Sequence, residues 1–300
     1  MKTTVVLTTY NGAKYLMPLL DSLRCQSKKI DEVLICDDGS TDGTRDIVSE
    51  YIAKYDLCGW VKCWNSTNYG WMKNFRIGIQ RAVGDIVFPC DQDDVWDKDK
   101  VKKMVMVMED NPEILLLSSD YKPLYENGGH KVDDLTEIKG DRVEKIEFDS
   151  RFSIHERPGC VMAIRKSLVE MTKELWQDWY PHDAFLWTTA CVLNGCYLLH
   201  EPLIQYRRHD SNASTGSQHI ASAQVKSLER TLNIVDWCLK RNNVSKTEEK
   251  ILRNYQKYAL MRKEFIEKKK IVNWFKLIPY AKFYRSHRQQ VGDWYYVIKG

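Results

Sequence analysis

The sequence lacks several features that would place it in other protein classes. It has no apolar run approaching the roughly 20 residues of a membrane-spanning helix. No G-x-G-x-x-G follows its first apolar stretch, and no G-x-x-x-x-G-K-S/T occurs, which argues against a dinucleotide-binding loop and a P-loop. The opening residues turn polar at Thr8, so we expect no signal peptide.

The nine cysteines also lack the spacing of a metal or redox motif. They form no CxxC pair and no Cys/His pattern of a zinc finger. Several, among them Cys36, Cys90 and Cys191, lie in apolar runs, as small buried side chains do. We therefore expect reduced thiols and a cytoplasmic protein.

Charge is distributed unevenly along the 300 residues. The net charge is +4, but residues 251–300 carry twelve Lys/Arg and three Asp/Glu, or +9, and residues 1–250 carry −5. A basic tail on an acidic body is typical of an interaction surface. The composition, 43% hydrophobic and 29% charged, is that of a globular protein with room for one large α/β domain and an appendage.

Strand and helix patterns alternate from the start of the chain. Apolar strands are predicted at residues 4–7, 32–36, 60–64 and 86–90, each ends in a polar loop, and helical periodicity separates one strand from the next. This order predicts an α/β fold with a mostly parallel, Rossmann-like sheet flanked by helices. In such sheets the ligand lies beyond the carboxyl ends of the strands.

The later part of this region is less regular. Residues 113–119 hold another apolar run, and a further strand is predicted at residues 157–165. Residues 122–152 are polar and contain Gly128-Gly129, so we predict a long, mobile loop or an acceptor-side insertion there.

Three carboxylates, Asp91, Asp93 and Asp94, follow the fourth predicted strand. Residues two apart on an extended segment face the same way, so Asp91 and Asp93 converge. Like charges at that distance repel, and a Mg²⁺ or Mn²⁺ ion with oxygen ligands removes the conflict. The alternative is a solvated acidic turn in which Asp94 or Asp97 caps the next helix.

Several motifs in this order resemble the family 2 glycosyltransferases with the GT-A fold. They are Thr8-Thr-Tyr-Asn-Gly12, Asp37-Asp-Gly-Ser-Thr-Asp-Gly43, Asn68-Tyr-Gly70 with Lys73-Asn74, and Asp91-Gln-Asp-Asp-Val-Trp96. The last is most similar to the bacterial rhamnosyltransferase branch. The resemblance covers about residues 3–214 and implies inverting transfer of a sugar from a nucleotide diphosphate sugar to an acceptor hydroxyl.

The resemblance also implies roles in binding the donor. Thr9 and Tyr10 would flank the base, and Asp38 would accept a hydrogen bond from the pyrimidine N3–H, which favours a dTDP- or UDP-sugar. Asp91 would contact the ribose or the sugar, and Gln92 beside it is assigned to the same site. For the segment that contains Asp38, a plain turn is the alternative.

A metal and cationic side chains would surround the diphosphate. By resemblance, Asp93 and His209 would bind Mn²⁺ or Mg²⁺. Lys73, Arg207 and Arg208 would offer positive charge to the phosphates. The family more often has Arg where Lys73 stands, and an exposed helix residue is the alternative there. Together these groups would stabilise the departing diphosphate.

A catalytic base is predicted at the start of a later helix. Pro181 suits a first helical turn, which places His182 and Asp183 at the helix N-terminus. By resemblance, Asp183 is the general base that takes the proton of the acceptor hydroxyl. The alternative is that Asp183 only caps the helix.

The sequence divides into a catalytic domain, residues 1–216, and a helical C-terminal extension, residues 217–300. Helices are predicted at residues 221–241 and 246–270. In residues 268–285 basic side chains alternate with aromatic and aliphatic ones, which favours an interfacial helix on an anionic membrane. Packing against the domain and a homodimer contact are the alternatives. We expect a cytoplasmic protein, peripheral on the inner face of the cell membrane.

Two functions remain open at this point. One is a metal-dependent inverting glycosyltransferase that builds a lipid-linked bacterial polysaccharide, with rhamnose as one donor sugar. The other is a non-catalytic module that binds a nucleotide sugar or nucleic acid. The carboxylate cluster and Asp183 argue for catalysis, and the acidic body argues against a nucleic-acid partner. A two-carboxylate hydrolase is a weaker third, because a metal explains the cluster better.

Overall fold

The structure is a computed structural model, and it describes residues 1–126, 131–132, 142–209, 221–242 and 244–299. The chain forms two compact units. The first contains Met1–Ile146, Glu156–Leu186 and Gly195–Asp210; the second contains Glu147–His155, Trp187–Asn194 and Ser211–Gly300. The domain boundary predicted between residues 216 and 217 lies outside the described residues.

Strands and helices alternate at the N-terminus as the sequence predicts. The strands are β1 (Thr3–Thr9), β2 (Glu32–Asp37), β3 (Trp60–Trp64) and β4 (Ile86–Cys90), separated by the helices α1 (Ala13–Arg24), α2 (Thr44–Lys54) and α3 (Trp71–Arg81). β1 pairs in parallel with β2 and β4, and β2 pairs in parallel with β3. Helix α1 buries an apolar stripe of four leucines, which is the periodicity that predicts it.

Five more strands extend this sheet. They are β5 (Val95–Trp96), β6 (Leu116–Tyr125), β7 (Val143–Lys145), β8 (Met162–Arg165) and β9 (Cys196–Arg208). The order is β3-β2-β1-β4-β8-β6-β9-β5, and β7 also pairs with β9. β6 and β9 run parallel, and each antiparallel pair includes β8 or β9. The predicted α/β fold with a mostly parallel sheet flanked by helices is confirmed.

Three helices lie between these later strands in the chain: α4 (Lys100–Asp110), α5 (Lys166–Thr172) and α6 (His182–Val192). The long loop predicted at residues 122–152 is wrong in part, because β6 continues to Tyr125 and β7 lies within that stretch. Both strands pair with β9, whose residues are far away in sequence. Local polarity does not encode such pairing. Residues 127–130 and 133–141 lie outside the described part.

The C-terminal unit contains the helices α7 (Ala221–Leu239), α8 (Lys246–Lys268), α9 (Ile271–Leu277) and α10 (His287–Lys299). A capping box between Ser245 and Glu248 begins α8, and Lys269 in the left-handed conformation ends it. The single interfacial helix predicted at residues 268–285 is wrong. The chain turns into a 3₁₀ helix at Ile278–Phe283, because Pro279 has no N–H with which to continue α9. Among the described helices, none combines the length and apolarity needed to cross a membrane.

Candidate active site

The ends of three parallel strands meet at one edge of the sheet. In the pairing register Thr9 lies opposite Asp37 and Leu7 opposite Cys90. Tyr10, Asp38 and Asp91, which come next in each segment, are therefore brought to that edge. The sheet topology thus brings together three residues that span about 80 positions of the sequence.

Asp37, the last residue of β2, is saturated with hydrogen bonds. Its carboxylate accepts from Thr9 Oγ1 at 2.8 Å, from Ser40 N at 3.0 Å and from Arg45 Nε at 2.5 Å. Burial opposes ionisation, but the hydrogen bonds from Ser40, Thr9 and Arg45 prevail and lower the pKa of Asp37. Asp37 is thus a structural anion, and the hydroxyl of Thr9, predicted to lie beside the base, is turned toward it.

Asp38 holds the loop that follows β3. Its Oδ1 accepts from Asn65 Nδ2 at 3.0 Å and from Tyr69 N at 2.8 Å, and its Oδ2 accepts from Gly70 N at 2.9 Å. Gly70 has φ of +85°, which suits glycine. A carboxylate accepts about four hydrogen bonds, so Oδ2 retains capacity for one more donor.

Gln92 contacts the loop after β1 rather than standing apart as a ligand. Its Oε1 accepts from Tyr10 N at 2.8 Å, and its Nε2 donates to Tyr10 O at 3.1 Å. A Cβ at Gly12 would lie 2.1 Å from Gln92 Oε1, so only glycine leaves room for this amide. The Tyr10 ring itself is exposed. Gln92 therefore links the carboxylate loop to the segment predicted to flank the base.

Two carboxylates after β4, those of Asp91 and Asp94, are in surroundings that disfavour their ionisation. Burial, together with the negative charges of Asp93 and Asp183, raises the pKa of Asp91 to about 7. Burial and the charges of Asp93 and Asp91 raise the pKa of Asp94 well above its usual range. Asp94 Oδ2 is buried, and among the described residues it has no strong hydrogen-bond donor beside it, only the weakly donating thiol of Cys160. The protein therefore disfavours the charged form of these carboxylates, and a bound cation would stabilise that form.

Asp93 and His209, the two residues predicted to bind a metal ion, contact each other. His209 Nε2 lies 2.9 Å from Asp93 Oδ2, and the imidazole stacks on the ring of Tyr15 with centroids 4.9 Å apart. A carboxylate oxygen and an imidazole nitrogen are ligands that Mn²⁺ accepts. Tyr15, on α1, was not predicted, because a Tyr near the start of a helix carries no signal of this contact.

A second group of potential ligands lies deeper. Oxygen atoms of Asp91 and Asp94 and the sulfur of Cys160 lie within 4.8 Å of one another. Mg²⁺ and Mn²⁺ prefer oxygen ligands to sulfur, so Asp91 and Asp94 are better candidate ligands than Cys160. They lie in the same loop as Asp93, which contacts His209.

Lys100 provides a cation beneath these carboxylates. Its side chain is fully buried, Nζ donates to Cys160 O at 2.6 Å, and Nζ lies 3.6 Å from the centroid of the Trp96 ring. Burial lowers the pKa of Lys100 to about 8, so the ammonium is still charged at neutral pH. The sequence places it among other lysines at a helix start, where an exposed side chain is the natural expectation.

Asp94 connects the loop to the last strand instead of capping a helix. Its Oδ1 accepts from Arg207 N at 2.9 Å, and the residue that precedes α4 is Asp99. The Arg207 guanidinium donates to Asp93 O at 2.7 Å and pairs with Glu126 at 2.7 Å. The predicted alternative of an Asp94 or Asp97 cap is therefore wrong.

The other predicted cations also have protein partners. Lys73 Nζ lies 3.1 Å from Asp178, which pairs with Arg76 as well. Arg208 is buried and donates to the Tyr206 hydroxyl at 3.0 Å. Binding of phosphate by any of these side chains requires that the phosphate compete with, or join, an existing partner.

His182 and Asp183 begin α6, as the sequence predicts. The buried His182 ring packs on Phe75 with centroids 4.0 Å apart, and a Cβ at Gly159 would lie 2.0 Å from its Nε2. His182 thereby fixes the start of the helix. Asp183 raises the pKa of Asp91, so the two carboxylates lie within electrostatic range.

Comparison with known proteins identifies the family. A family model described as glycosyl transferase family 2 matches residues 4–172, more than half of the chain. The chain belongs to glycosyl transferase family 2. It is a glycosyltransferase of the hexosyltransferase type. The resemblance drawn from its motifs is confirmed.

Two relatives show how far the similarity extends. The dTDP-rhamnosyl transferase RfbG of Shigella flexneri is 30% identical over 220 residues, which is 69% of this chain and 72% of that protein. An uncharacterized glycosyltransferase of Nostoc sp. is 26% identical over 239 residues, 75% of this chain and 72% of the relative.

Two solved structures share the fold. TarS from S. aureus in complex with UDP has a TM-score of 0.69 and 18% identity, over 100% of this chain and 88% of that chain. The mannosyltransferase PcManGT from Pyrobaculum calidifontis, in complex with GDP-Man and Mn²⁺, has a TM-score of 0.57 and 16% identity, over 99% and 85% of the two chains. The predicted GT-A fold is confirmed.

Proposed function

We propose that this glycosyltransferase moves a sugar, with inversion at the anomeric carbon, from a dTDP- or UDP-sugar to a saccharide hydroxyl, assisted by a divalent metal ion. The observation that carries the proposal is the pair Asp93 and His209, 2.9 Å apart, beside carboxylates whose pKa values are raised. A binding module without catalysis has no need of such a cluster next to Asp183.

A pyrimidine base fits the remaining hydrogen-bonding capacity of Asp38. Its carboxylate is held by three N–H donors, and Oδ2 accepts only one of them, from Gly70. A uracil or thymine N3–H supplies a further donor, whereas guanine presents its N1–H in a differently shaped edge. The similarity to RfbG, a dTDP-rhamnosyl transferase, makes dTDP-rhamnose the first donor to test.

Asp93 and His209 would hold Mn²⁺ or Mg²⁺, because their oxygen and nitrogen atoms already converge. A bound ion supplies positive charge to the diphosphate as it leaves. Asp91 keeps its predicted role at the ribose or the sugar. The PcManGT structure, which contains Mn²⁺, supports a metal in this fold.

Asp183 is the proposed general base. The acceptor oxygen forms a bond to the anomeric carbon, the bond from that carbon to the diphosphate oxygen breaks, and the acceptor proton passes to the Asp183 carboxylate. His182 holds the helix start by packing on Phe75, so it orients the base. Attack from the side opposite the leaving group inverts the configuration.

We further propose that the acceptor is a lipid-linked bacterial saccharide and that the enzyme works at the inner face of the cell membrane. The +9 charge of residues 251–300 supports this location, since anionic lipids attract basic segments.

A donor panel tests the activity directly. Thermal shift and release of nucleoside diphosphate are measured with dTDP-rhamnose, dTDP-glucose, UDP-glucose and GDP-mannose, each with Mn²⁺ and with EDTA. We expect stabilisation by the pyrimidine donors in Mn²⁺, about 2.7 kcal/mol at a hundredfold excess over Kd, and turnover when a saccharide acceptor is added. Binding without turnover across the panel would favour the non-catalytic module.

A further inference from the structure

Two short C-terminal helices direct apolar side chains outward. In α9 and the turn that follows, Ile271, Phe275 and Ile278 recur at i, i+4 and i+7, and all are exposed, as is Val272. In α10, Val291, Tyr295 and Ile298 repeat the same spacing, and Ile298 is 75% exposed. Scattered exposed apolar residues are ordinary, but two complete helical stripes indicate an interaction surface.

The inner faces of both helices are already packed. Leu277 is buried, and the rings of Trp274 on α9 and Trp294 on α10 lie 5.7 Å apart. On α10, Asp293 is fully buried and accepts from Arg262 Nε at 2.7 Å and from Arg262 Nη2 at 2.8 Å. The outward stripes are therefore additional to the faces that hold the unit together.

The aromatic residues on which the sequence-based membrane prediction relied lie mostly inside. Phe283 and Tyr284 are buried, and their rings contact Tyr258 at centroid distances of 5.4 Å and 5.0 Å. Among the aromatic residues of α9, only Phe275 is exposed, at 60%. Any lipid contact must use a different set of side chains from the one the sequence suggests.

The segment that carries the stripes is strongly basic. Residues 268–298 contain seven Lys/Arg, all exposed: Lys268, Lys269, Lys270, Lys276, Lys282, Arg285 and Arg288. Two of them, Lys268 and Lys270, pair with Glu264 on α8. The one acidic residue in this segment is Asp293, whose carboxylate is buried against Arg262. The segment thus combines exposed apolar side chains with exposed basic ones, which complements an anionic, apolar-centred partner.

We propose that this stripe surface is where the protein binds an anionic membrane. The surface is defined as Ile271, Val272, Phe275, Ile278, Val291, Tyr295 and Ile298. Its apolar side chains enter the boundary between headgroups and acyl chains, and the lysines and arginines around it bind the lipid phosphates. The inference rests on the proposed membrane location and names the side chains responsible for it.

A second copy of the chain is a poorer occupant. A symmetric dimer through this surface would bring two basic segments together, and the acidic residue within residues 268–298, Asp293, is buried and cannot pair across the contact. An anionic bilayer supplies both the negative charge and the apolar layer.

Vesicle binding of the full chain tests the proposal. Co-sedimentation is measured with vesicles of phosphatidylcholine alone and of phosphatidylcholine with 30% phosphatidylglycerol, at low and high salt. We expect binding to the anionic vesicles only, weakened by salt because screening shortens the reach of each charge. Equal binding to both vesicle types, or none to either, overturns the proposal.

The variant Phe275→Ser/Ile298→Ser removes one large side chain from each stripe. Both are exposed, so the fold and melting temperature should be unchanged, while vesicle affinity falls by about tenfold or more. The matched control is Val83→Ser/Leu260→Ser, at two exposed apolar residues outside the surface. Equal losses in the two variants would refute the assignment.

Two more measurements separate the remaining outcomes. If the protein is a dimer in solution and Phe275→Ser/Ile298→Ser makes it monomeric, the surface belongs to a second copy and the membrane proposal is wrong. Transfer to a water-soluble acceptor should be the same in wild type and variant. Absence of transfer in wild type would reject the proposed function, while the vesicle result would still decide the surface.

Discussion

Two groups of aspartates at the same edge of the sheet have opposite environments. The β2 carboxylates, Asp37 and Asp38, are surrounded by donors from Ser40, Arg45 and the loop after β3, and hydrogen bonds lower the pKa of Asp37. The β4 carboxylates, Asp91, Asp93 and Asp94, lie close to one another. The pKa values of Asp91 and Asp94 are raised by burial and by the neighbouring charges.

The difference shows that two acidic loops of similar sequence can hold their carboxylates in opposite ways: as structural anions after β2, and as the metal site that we propose after β4. Both sequences, Asp37-Asp-Gly and Asp91-Gln-Asp-Asp, read as acidic loops after a strand. Only in the second does the protein disfavour the ionisation of its carboxylates, despite the cation of Lys100 nearby. It is the group that a divalent cation would stabilise.

The largest expected effect concerns the base that lies near the β4 carboxylates. Asp183→Asn keeps the shape of the side chain but cannot accept the acceptor proton. Transfer should fall by about 10²–10⁴-fold while donor and metal affinity stay nearly unchanged. Rate and donor affinity are measured on the same folded variant.

The control for this change is Asp178→Asn, which removes a carboxylate already paired with Lys73 and Arg76. Its effect on turnover should be much smaller. Near-normal transfer by Asp183→Asn, with a large loss in Asp178→Asn, would assign the base to Asp178 instead.

The next prediction compares the two groups of aspartates by how each contributes to the free energy of unfolding at different pH values. Asp37→Asn removes the ionised partner of Arg45 and should lower the free energy of unfolding by about 3 kcal/mol at pH 7. Because folding lowers the pKa of Asp37, its contribution is present above the unfolded value of about 3.9 and is lost as pH falls below it. The difference from wild type should therefore shrink toward pH 3.

In metal-free protein, Asp91→Asn should have the opposite effect and raise the stability. Folding raises the pKa of Asp91 to about 7, so its ionisation costs stability increasingly from about pH 4 to pH 7. The variant should melt higher than wild type at pH 8 and at the same temperature near pH 4. Denaturant unfolding in EDTA across this range measures both variants, and equal pH profiles would remove the distinction between the groups.

The smallest effect concerns the link from the β4 loop to the loop after β1. Gln92→Ala removes both hydrogen bonds to the Tyr10 backbone, and donor affinity should fall by roughly three- to tenfold. Gly12→Ala alone should cost a similar factor, since its Cβ displaces the Gln92 amide. In the Gln92→Ala background Gly12→Ala should cost little more. Additive losses would show that the two residues act separately.

Sequence patterns predicted the part of the fold whose signals are local. The four N-terminal strands each combine an apolar run with a polar loop, and observed and predicted bounds agree within two residues. β7 and the end of β6 were missed, because Val143–Lys145 and Pro123–Tyr125 become strands only by pairing with β9. Pro279 was present in the sequence, but its ability to end α9 was not weighed against the amphipathic pattern.

The residues of the site were also predicted only in part. Motif resemblance selected Asp38, Asp93, Asp183 and His209, and the structure brings Asp93 and His209 together. The partners Tyr15, Glu126 and Lys100 could not be predicted, because their contacts depend on how distant segments meet.

The central claim is that the β4 carboxylates with His209 form a metal site for the donor diphosphate. Calorimetry of dTDP and UDP binding, in Mn²⁺ and in EDTA, tests it most directly. We predict that Mn²⁺ tightens binding of the diphosphates by about tenfold or more in wild type, and that Asp93→Ala and His209→Ala abolish this gain. Thymidine and uridine should bind equally with and without metal. Asp97→Ala, an exposed carboxylate of the same loop, should behave as wild type. Diphosphate affinity that is the same in EDTA and in Mn²⁺, with full transfer in EDTA, would contradict the metal site.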